Sequence, residues 1–243
     1  MGRTSKRSRV IYVRKFQLRR YRVNKIFTTS PSGGRVAAAV FDFDGLIVDT
    51  QACWHAAYRA VLARRDRSIG PEQLAQLAGA SVRAAALGLE VPPDELRAAL
   101  RRAFAGATLA PLPGVEALIA RLRDVLPLAI ATNGPHDVAL GALRRMRLDA
   151  AFTAVVSAEA LPHEKPAPDV YLEACRLLAV EPAQAVAFED SAIGVTAARR
   201  AGLVIVQVAP STSEQADADL RLARLDDPRL VSFLQLAHAE APR

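Results

Sequence analysis

With 243 residues, 51% of them apolar, the chain can bury one large core or two small ones. Two cysteines, Cys53 and Cys175, are too few for a disulfide scaffold and too far apart for a cysteine metal site, which fits a reducing, cytoplasmic setting, and no apolar run reaches the roughly 18 residues needed to span a bilayer. The net charge of +7 is local: residues 1–35 carry 11 Lys and Arg and no acid, whereas residues 36–243 carry 21 against all 25 Asp and Glu, a net of −4.

Residues 1–35 are rich in Arg, Ser and Thr. Such a segment can bind nucleic acid or an anionic surface, or serve targeting, although it lacks the apolar centre of a secretory signal. The reading carried forward is a flexible basic extension outside the fold, closed by the breaker cluster Ser30-Pro31-Ser32-Gly33-Gly34. Val10–Phe27 alternates in character, which leaves room for a short strand or helix. The mildly acidic body gives no reason to expect nucleic-acid binding.

Val36–Phe41 is a continuous apolar run that reads as a buried parallel strand delivering Asp42 at its carboxyl end. Residues 50–110 then show only helical stretches: Thr50–Arg64, a helix opened by Pro71, Gly79–Gly88, and Pro93–Ala105. They form an all-helical insert. From Leu112-Pro113-Gly114 an α/β alternation resumes. Strands are expected at Leu126–Ala131, Ala154–Ser157, Ala185–Phe188 and Val204–Val208. Helices are expected at Val115–Arg123, His136–Met146, Pro168–Leu178 and Ile193–Ala201, and Ala218–Ala239 adds a weak edge strand and a last helix. The fold class is therefore α/β, a doubly wound parallel sheet with an inserted helical unit. Its domains are a basic extension (1–35), a core (36–49 and 111–239) and a helical insert (50–110).

Four polar clusters fall at strand ends or just before a helix: Asp42/Asp44, Thr132/Asn133, Lys165 and Glu189/Asp190. Singly, each suits a cap, a turn or a surface loop. Together they belong to separate strand ends that an open α/β sheet brings to one crevice. Lys165 is the one lysine after residue 25 in a chain with 28 arginines, so an ammonium is singled out there. Clustered carboxylates with no nearby His or Cys point to Mg²⁺, which binds through few carboxylates, water and substrate phosphate. With Thr132 and Lys165 completing a phosphate-sized anion site, the set suits phosphoryl transfer by an attacking carboxylate. A carboxylate nucleophile needs no activating base, since a reference pKa of about 4 leaves Asp42 ionised.

These clusters resemble the motifs of the haloacid dehalogenase-like superfamily, in its β-phosphoglucomutase/phosphoglycolate phosphatase-like branch. The first motif resembles Asp42-Phe43-Asp44-Gly45-Leu46-Ile47-Val48-Asp49-Thr50, and the second Ala131-Thr132-Asn133-Gly134. The third resembles Glu164-Lys165-Pro166, and the fourth Phe188-Glu189-Asp190-Ser191. The resemblance covers residues 36 to about 220. It implies a Rossmann-like core, a helical cap over residues 50–110 hinged near Asp49 and Thr50, and an aspartyl-phosphate formed on Asp42. It further implies Asp44 as general acid/base, and Mg²⁺ held by Asp42, Asp190 and the Asp44 carbonyl with Glu189 in support. Thr132 and Lys165 would hold the phosphoryl group, while Asn133, Gly134 and Ser191 assist. Cap residues expected to face substrate are Gln51, His55, Ser81 and Arg83, with His136 near the mouth; Trp54 is read as core.

Within that family, Asp44 argues against dehalogenation. The absence of lysine from residues 50–110 argues against Schiff-base hydrolysis. The reading favoured is a Mg²⁺-dependent phosphatase acting on a small sugar or related metabolite phosphate, as a monomer or homodimer. A sugar phosphomutase is the alternative, disfavoured because Ala78 stands where a mutase-like cap often carries lysine. A non-catalytic binding protein would have no need to keep Asp42, Asp44 and Lys165 together.

Overall fold

Large and small residues alternate along the central strands, and this alternation decides how the layers stack. The computed structural model describes residues 11–13, 36–210 and 216–234. The strands are β1 (Ile11–Val13), β2 (Ala38–Phe41), β3 (Leu128–Thr132), β4 (Ala154–Ser157), β5 (Ala185–Glu189), β6 (Val204–Val208) and β7 (Leu220–Leu222). The helices are α1 (Gln51–Ala63), α2 (Pro71–Gln76), α3 (Val82–Leu89), α4 (Pro93–Gly106), α5 (Val115–Leu122), α6 (His136–Arg145), α7 (Asp169–Leu178), α8 (Ala192–Ala201) and α9 (Pro228–Phe233). The sheet order is β1-β4-β3-β2-β5-β6-β7, parallel throughout except for β1.

Phe41, Leu128, Ile130, Val186 and Phe188 point to one face of the sheet. There Phe41 stacks on Phe188 with ring centroids 4.6 Å apart, and Phe152 meets Phe41 edge-on at 6.0 Å. The opposite face is mostly alanine, with Ala38, Ala129, Ala131, Ala185 and Ala187. Small side chains there let α7 and α8 seat close to the strands, and Val170, Tyr171, Ala174 and Ala197 fill the contact.

The expected strands and helices are present, with end shifts of up to three residues. The Val36 run pairs as a strand only from Ala38. The helix expected from Gly79 starts at Val82, because Gly79 has φ +72° and the Ser81 hydroxyl caps α3 by accepting from Ala84 N–H at 3.1 Å. Within the basic extension Ile11–Val13 forms β1, antiparallel to β4 with Ile11 opposite Val156. The otherwise free edge of β4 offers unpaired backbone groups, and Ile-Tyr-Val has strong β propensity. The rest of the extension lies outside the described residues.

The cap helices α1–α4 leave and re-enter the core through two linkers that run side by side. Val48 bridges Pro111, and Leu112 N–H donates to Ile47 O at 2.8 Å. Inside the cap, α1 packs chiefly on α4 through Leu62, Leu96 and Leu100. Ion pairs join cap to core: Arg97 reaches Glu159 at 2.5 Å and Asp137 at 2.8 Å, and Arg101 reaches Asp137 at 2.5 Å. The Arg145 guanidinium donates to the carbonyls of Phe104 and Ala107 at the end of α4. Among the described residues no helix is long and apolar enough to cross a membrane.

Leu100 is fully buried in the cap. Leu100→Ala is expected to destabilise the protein by about 2–5 kcal/mol, read by urea denaturation; a loss below about 1 kcal/mol would contradict cap stability through α1–α4 packing.

Candidate active site

Because β2 lies between β3 and β5, three strand ends deliver their side chains to one place. Asp42 follows β2, Thr132 ends β3, and Glu189 ends β5 with Asp190 next. The Asp42 N–H donates to Phe188 O at 2.9 Å, locking the β2 and β5 ends together. Lys165 enters from the loop between β4 and α7. Its Nζ lies 2.6 Å from Asp42 Oδ1, 2.5 Å from Glu189 Oε1 and 3.2 Å from the Tyr171 hydroxyl. Tyr171 in turn donates to Glu189 Oε1 at 2.5 Å. Lys165 and Glu189 are both buried. Buried charges persist only when paired and hydrogen-bonded, and this cluster meets that condition.

Burial pushes the Asp42 carboxyl well above its ordinary range, with Lys165 opposing and the other carboxylates reinforcing. Ionisation of Asp42, expected from its reference pKa, is opposed by burial and supported by Lys165. Burial alone would depress Lys165, but Asp42 and Glu189 more than offset it and raise the ammonium, which stays charged. Asp190 is pushed up to about 7 by burial first and then by Glu189.

Carboxylate oxygens of Asp42, Glu189 and Asp190 lie within 4.8 Å of one another. Three acids against one ammonium leave an excess of negative charge, and hard oxygen donors suit Mg²⁺. Glu189 is already used by Lys165, Tyr171 and the Ser191 hydroxyl, which lies 3.2 Å from Oε2. Asp42 and Asp190 are the less committed members of this cluster that could hold a cation. Two glycines make room for the cluster. A Cβ on Gly45, at φ +86°, would come 2.1 Å from Asp190 Oδ2, and one on Gly194 would lie 1.9 Å from the Glu189 carboxyl carbon.

Asp44 stands on the other side of this cluster, gripped from the cap. Thr50 Oγ1 and Trp54 Nε1 donate to its Oδ1 at 2.7 and 2.9 Å, and Thr132 Oγ1 donates to its Oδ2 at 3.1 Å. Trp54 was expected to be core; instead its indole N–H reaches the site, one turn into α1. Sequence reading also missed Tyr171. An aromatic on an apolar helix face carries no signal that its hydroxyl will meet a buried carboxylate, and Trp54 is hidden the same way. The Asn133 side chain accepts from Lys165 N–H at 2.9 Å and donates to Gly79 O at 2.9 Å, so it ties the lysine loop to the cap. Gly134 N–H donates to Thr132 Oγ1 at 2.8 Å, and a Cβ at Gly134 would lie 3.0 Å from Asp44 Oδ2.

A cavity of about 660 Å³ separates this platform from the cap, a size suited to a small metabolite. Gln51 and His55 line it, as expected from the sequence. Arg83 does not. It lies 3.7 Å from Glu164 and borders a separate cleft, in the first turn of α3, which Ser81 caps. Ser81 borders that same cleft and serves as a helix cap. His136 is also displaced from the mouth. It sits buried at the start of α6, with its N–H 3.4 Å from Glu159, and burial lowers its imidazole.

The haloacid dehalogenase-like hydrolase family profile matches residues 39–208. Fructose-1-phosphate phosphatase YqaB of Escherichia coli (strain K12) is 33% identical over 183 residues, spanning 72% of this chain and 97% of that protein. Validoxylamine A 7'-phosphate phosphatase of Streptomyces hygroscopicus subsp. limoneus is 30% identical over 216 residues, spanning 79% and 95%. CbbY from Rhodobacter sphaeroides in complex with phosphate superposes with a TM-score of 0.73 at 27% identity, covering 83% of this chain and 100% of that one.

Two expectations follow from the geometry. Gly194→Ala forces the Glu189 carboxylate aside and is expected to destabilise by about 1–3 kcal/mol in urea denaturation. Gly141→Ala, in α6 with nothing within 4 Å of the new Cβ, is expected to stabilise by about 0.4–1 kcal/mol. Equal effects of the two would refute the crowding at Glu189. The second concerns pH. Asp190 takes up a proton more readily folded, at about 7, than at its model-compound value of 3.8. Its contribution to metal-free stability is therefore favourable at low pH and is lost as pH rises from 3.8 through about 7. A divalent cation replaces that proton, so millimolar Mg²⁺ should raise Tm more at pH 8 than at pH 5.5. An equal rise at both would exclude Asp190 as a ligand.

Proposed function

The chain belongs to the haloacid dehalogenase-like hydrolases, in the β-phosphoglucomutase/phosphoglycolate phosphatase branch with a helical cap, and from that premise we propose that it is a Mg²⁺-dependent phosphatase working through an aspartyl-phosphate. The observation that carries the reading is the pairing of Asp42 with Lys165 at 2.6 Å beside Asp190 and Asp44. It gives a carboxylate nucleophile, a fixed positive charge and a second carboxylate on the leaving-group side.

Asp42 and Asp190 would hold Mg²⁺, with Glu189 orienting Lys165 behind them. Bound there, the cation neutralises phosphate charge and favours the ionised form of Asp42. Lys165 pairs Asp42 Oδ1, and its ammonium also faces the incoming phosphoryl oxygens. Asp42 attacks phosphorus, the ester P–O bond breaks, and the leaving oxygen takes a proton from Asp44. Water then attacks the aspartyl-phosphate, Asp44 takes the proton, and inorganic phosphate leaves with Asp42 restored. Thr50 and Trp54 both hold Asp44 Oδ1, so Oδ2, beside Thr132, is the oxygen placed to exchange protons. Thr132 Oγ1 and the Gly134 region would bind the transferring group. Closure of the cap over the cavity would exclude water from the first step.

The substrate is a small metabolite phosphate, and the name of the fructose-1-phosphate phosphatase relative supports a sugar phosphate. Asp42→Asn should abolish phosphate release from p-nitrophenyl phosphate and from sugar phosphates while leaving the circular dichroism spectrum unchanged. Asp44→Asn should lower kcat/KM for a sugar phosphate by about 10²–10⁴-fold. Substantial turnover by Asp42→Asn would remove the nucleophile assignment. Conversion of β-glucose 1-phosphate to glucose 6-phosphate, with the bisphosphate present, would favour the mutase instead.

A further inference from the structure

We infer that the enzyme selects phosphate monoesters whose alcohol portion is uncharged, and discriminates against esters carrying a second anionic group. This inference rests on the phosphatase reading and names the substrate class of the same site.

The charge lining the cavity carries the argument. Asp42, Asp44, Asp49 and Asp190 border it, and Lys165 is the one cationic side chain among the described lining residues apart from the imidazole of His55. Lys165 is already committed to Asp42 and Glu189. Among the described residues no arginine lines the cavity. Three cap arginines are directed elsewhere. Arg83 faces Glu164 over the separate cleft, and Arg97 and Arg101 face Glu159 and Asp137.

The cap side of the cavity is apolar or neutral. Leu74, Leu77 and Ala80 supply the apolar part, and Gln51, Gln76 and His55 the hydrogen-bonding part. With the phosphoryl group at Lys165 and the metal, the remainder of the substrate extends along this wall. Hydroxyls find amide and imidazole partners there. A second carboxylate or phosphate would leave water without a countercharge and would approach Asp44 and Asp49. Like-charge placement of this kind rejects a ligand more strongly than a missing hydrogen bond does.

The test compares kcat/KM of the full-length, Mg²⁺-loaded enzyme on sorbitol 6-phosphate and fructose 1-phosphate with that on phosphoglycolate and fructose 1,6-bisphosphate. p-Nitrophenyl phosphate is the reference. The neutral esters are expected to exceed the charged ones by about 10²-fold or more. Ala78→Lys places an ammonium on the exposed cap side of the cavity. It is expected to raise the ratio of phosphoglycolate to sorbitol 6-phosphate kcat/KM at least about 10-fold. Turnover of p-nitrophenyl phosphate together with equal or better use of the charged esters overturns the inference and leaves the phosphatase reading standing. A ratio unmoved by Ala78→Lys also overturns it. No phosphate release from any ester, p-nitrophenyl phosphate included, overturns both.

Discussion

A buried ammonium between two carboxylates organises this protein. Lys165 sits 2.6 Å from Asp42 and 2.5 Å from Glu189 and is buried, with a small part of its surface bordering the cavity. Removing Lys165 would leave two carboxylates uncompensated in the core. The surroundings are arranged to keep the trio satisfied. Tyr171 donates to Glu189, Ser191 takes up the other Glu189 oxygen, and Asn133 pins the backbone of Lys165. Gly194 is bare where any side chain would displace Glu189. The alanine face of the sheet serves the same end, since it lets α7 come close enough for Tyr171 to reach the cluster.

The second constraint is the strand order. Parallel strands with right-handed crossovers put β2 between β3 and β5, so residues separated by up to about 150 positions share one crevice. The helical insert is attached where the nucleophile's own loop ends, through Val48 and Pro111. Cap and catalytic loop are thereby coupled: Thr50 and Trp54 from the cap hold Asp44, and Gly79 from the cap accepts from Asn133. The position of the cap and the orientation of Asp44 are linked through these hydrogen bonds.

Much of the site was legible in the sequence, and the parts that were not share a cause. Asp42, Asp44, Thr132, Asn133, Glu189 and Asp190 lie at or just beyond strand ends, where strand geometry forces their position, and Lys165 stands out in the loop before α7 as the one lysine after residue 25. Trp54 and Tyr171 lie inside amphipathic helices. Their rings follow the hydrophobic pattern, and only the polar tip of each enters the site. Arg83 shows the reverse error. A polar residue near a cap loop looks suited to substrate, but it stands in the first turn of α3, which Ser81 caps, and meets Glu164. His136 was placed correctly on its helix, yet its side chain is buried and does not line the cavity, and its backbone N–H meets Glu159.

The sequence by itself determined the α/β alternation, the helical insert and the acidic, hydroxyl and lysine side chains at the strand ends. Apolar periodicity and breaker residues are local properties, readable without contacts. Tertiary structure alone decided which oxygens of those acids remain open, which cap side chains face the cavity, and that no arginine lines it among the described residues. It also decided that the Asp42 carboxyl is raised by burial, whereas an isolated aspartate would be ionised. Those properties arise from desolvation and from helix rotation about an axis, and both depend on neighbours distant in the chain.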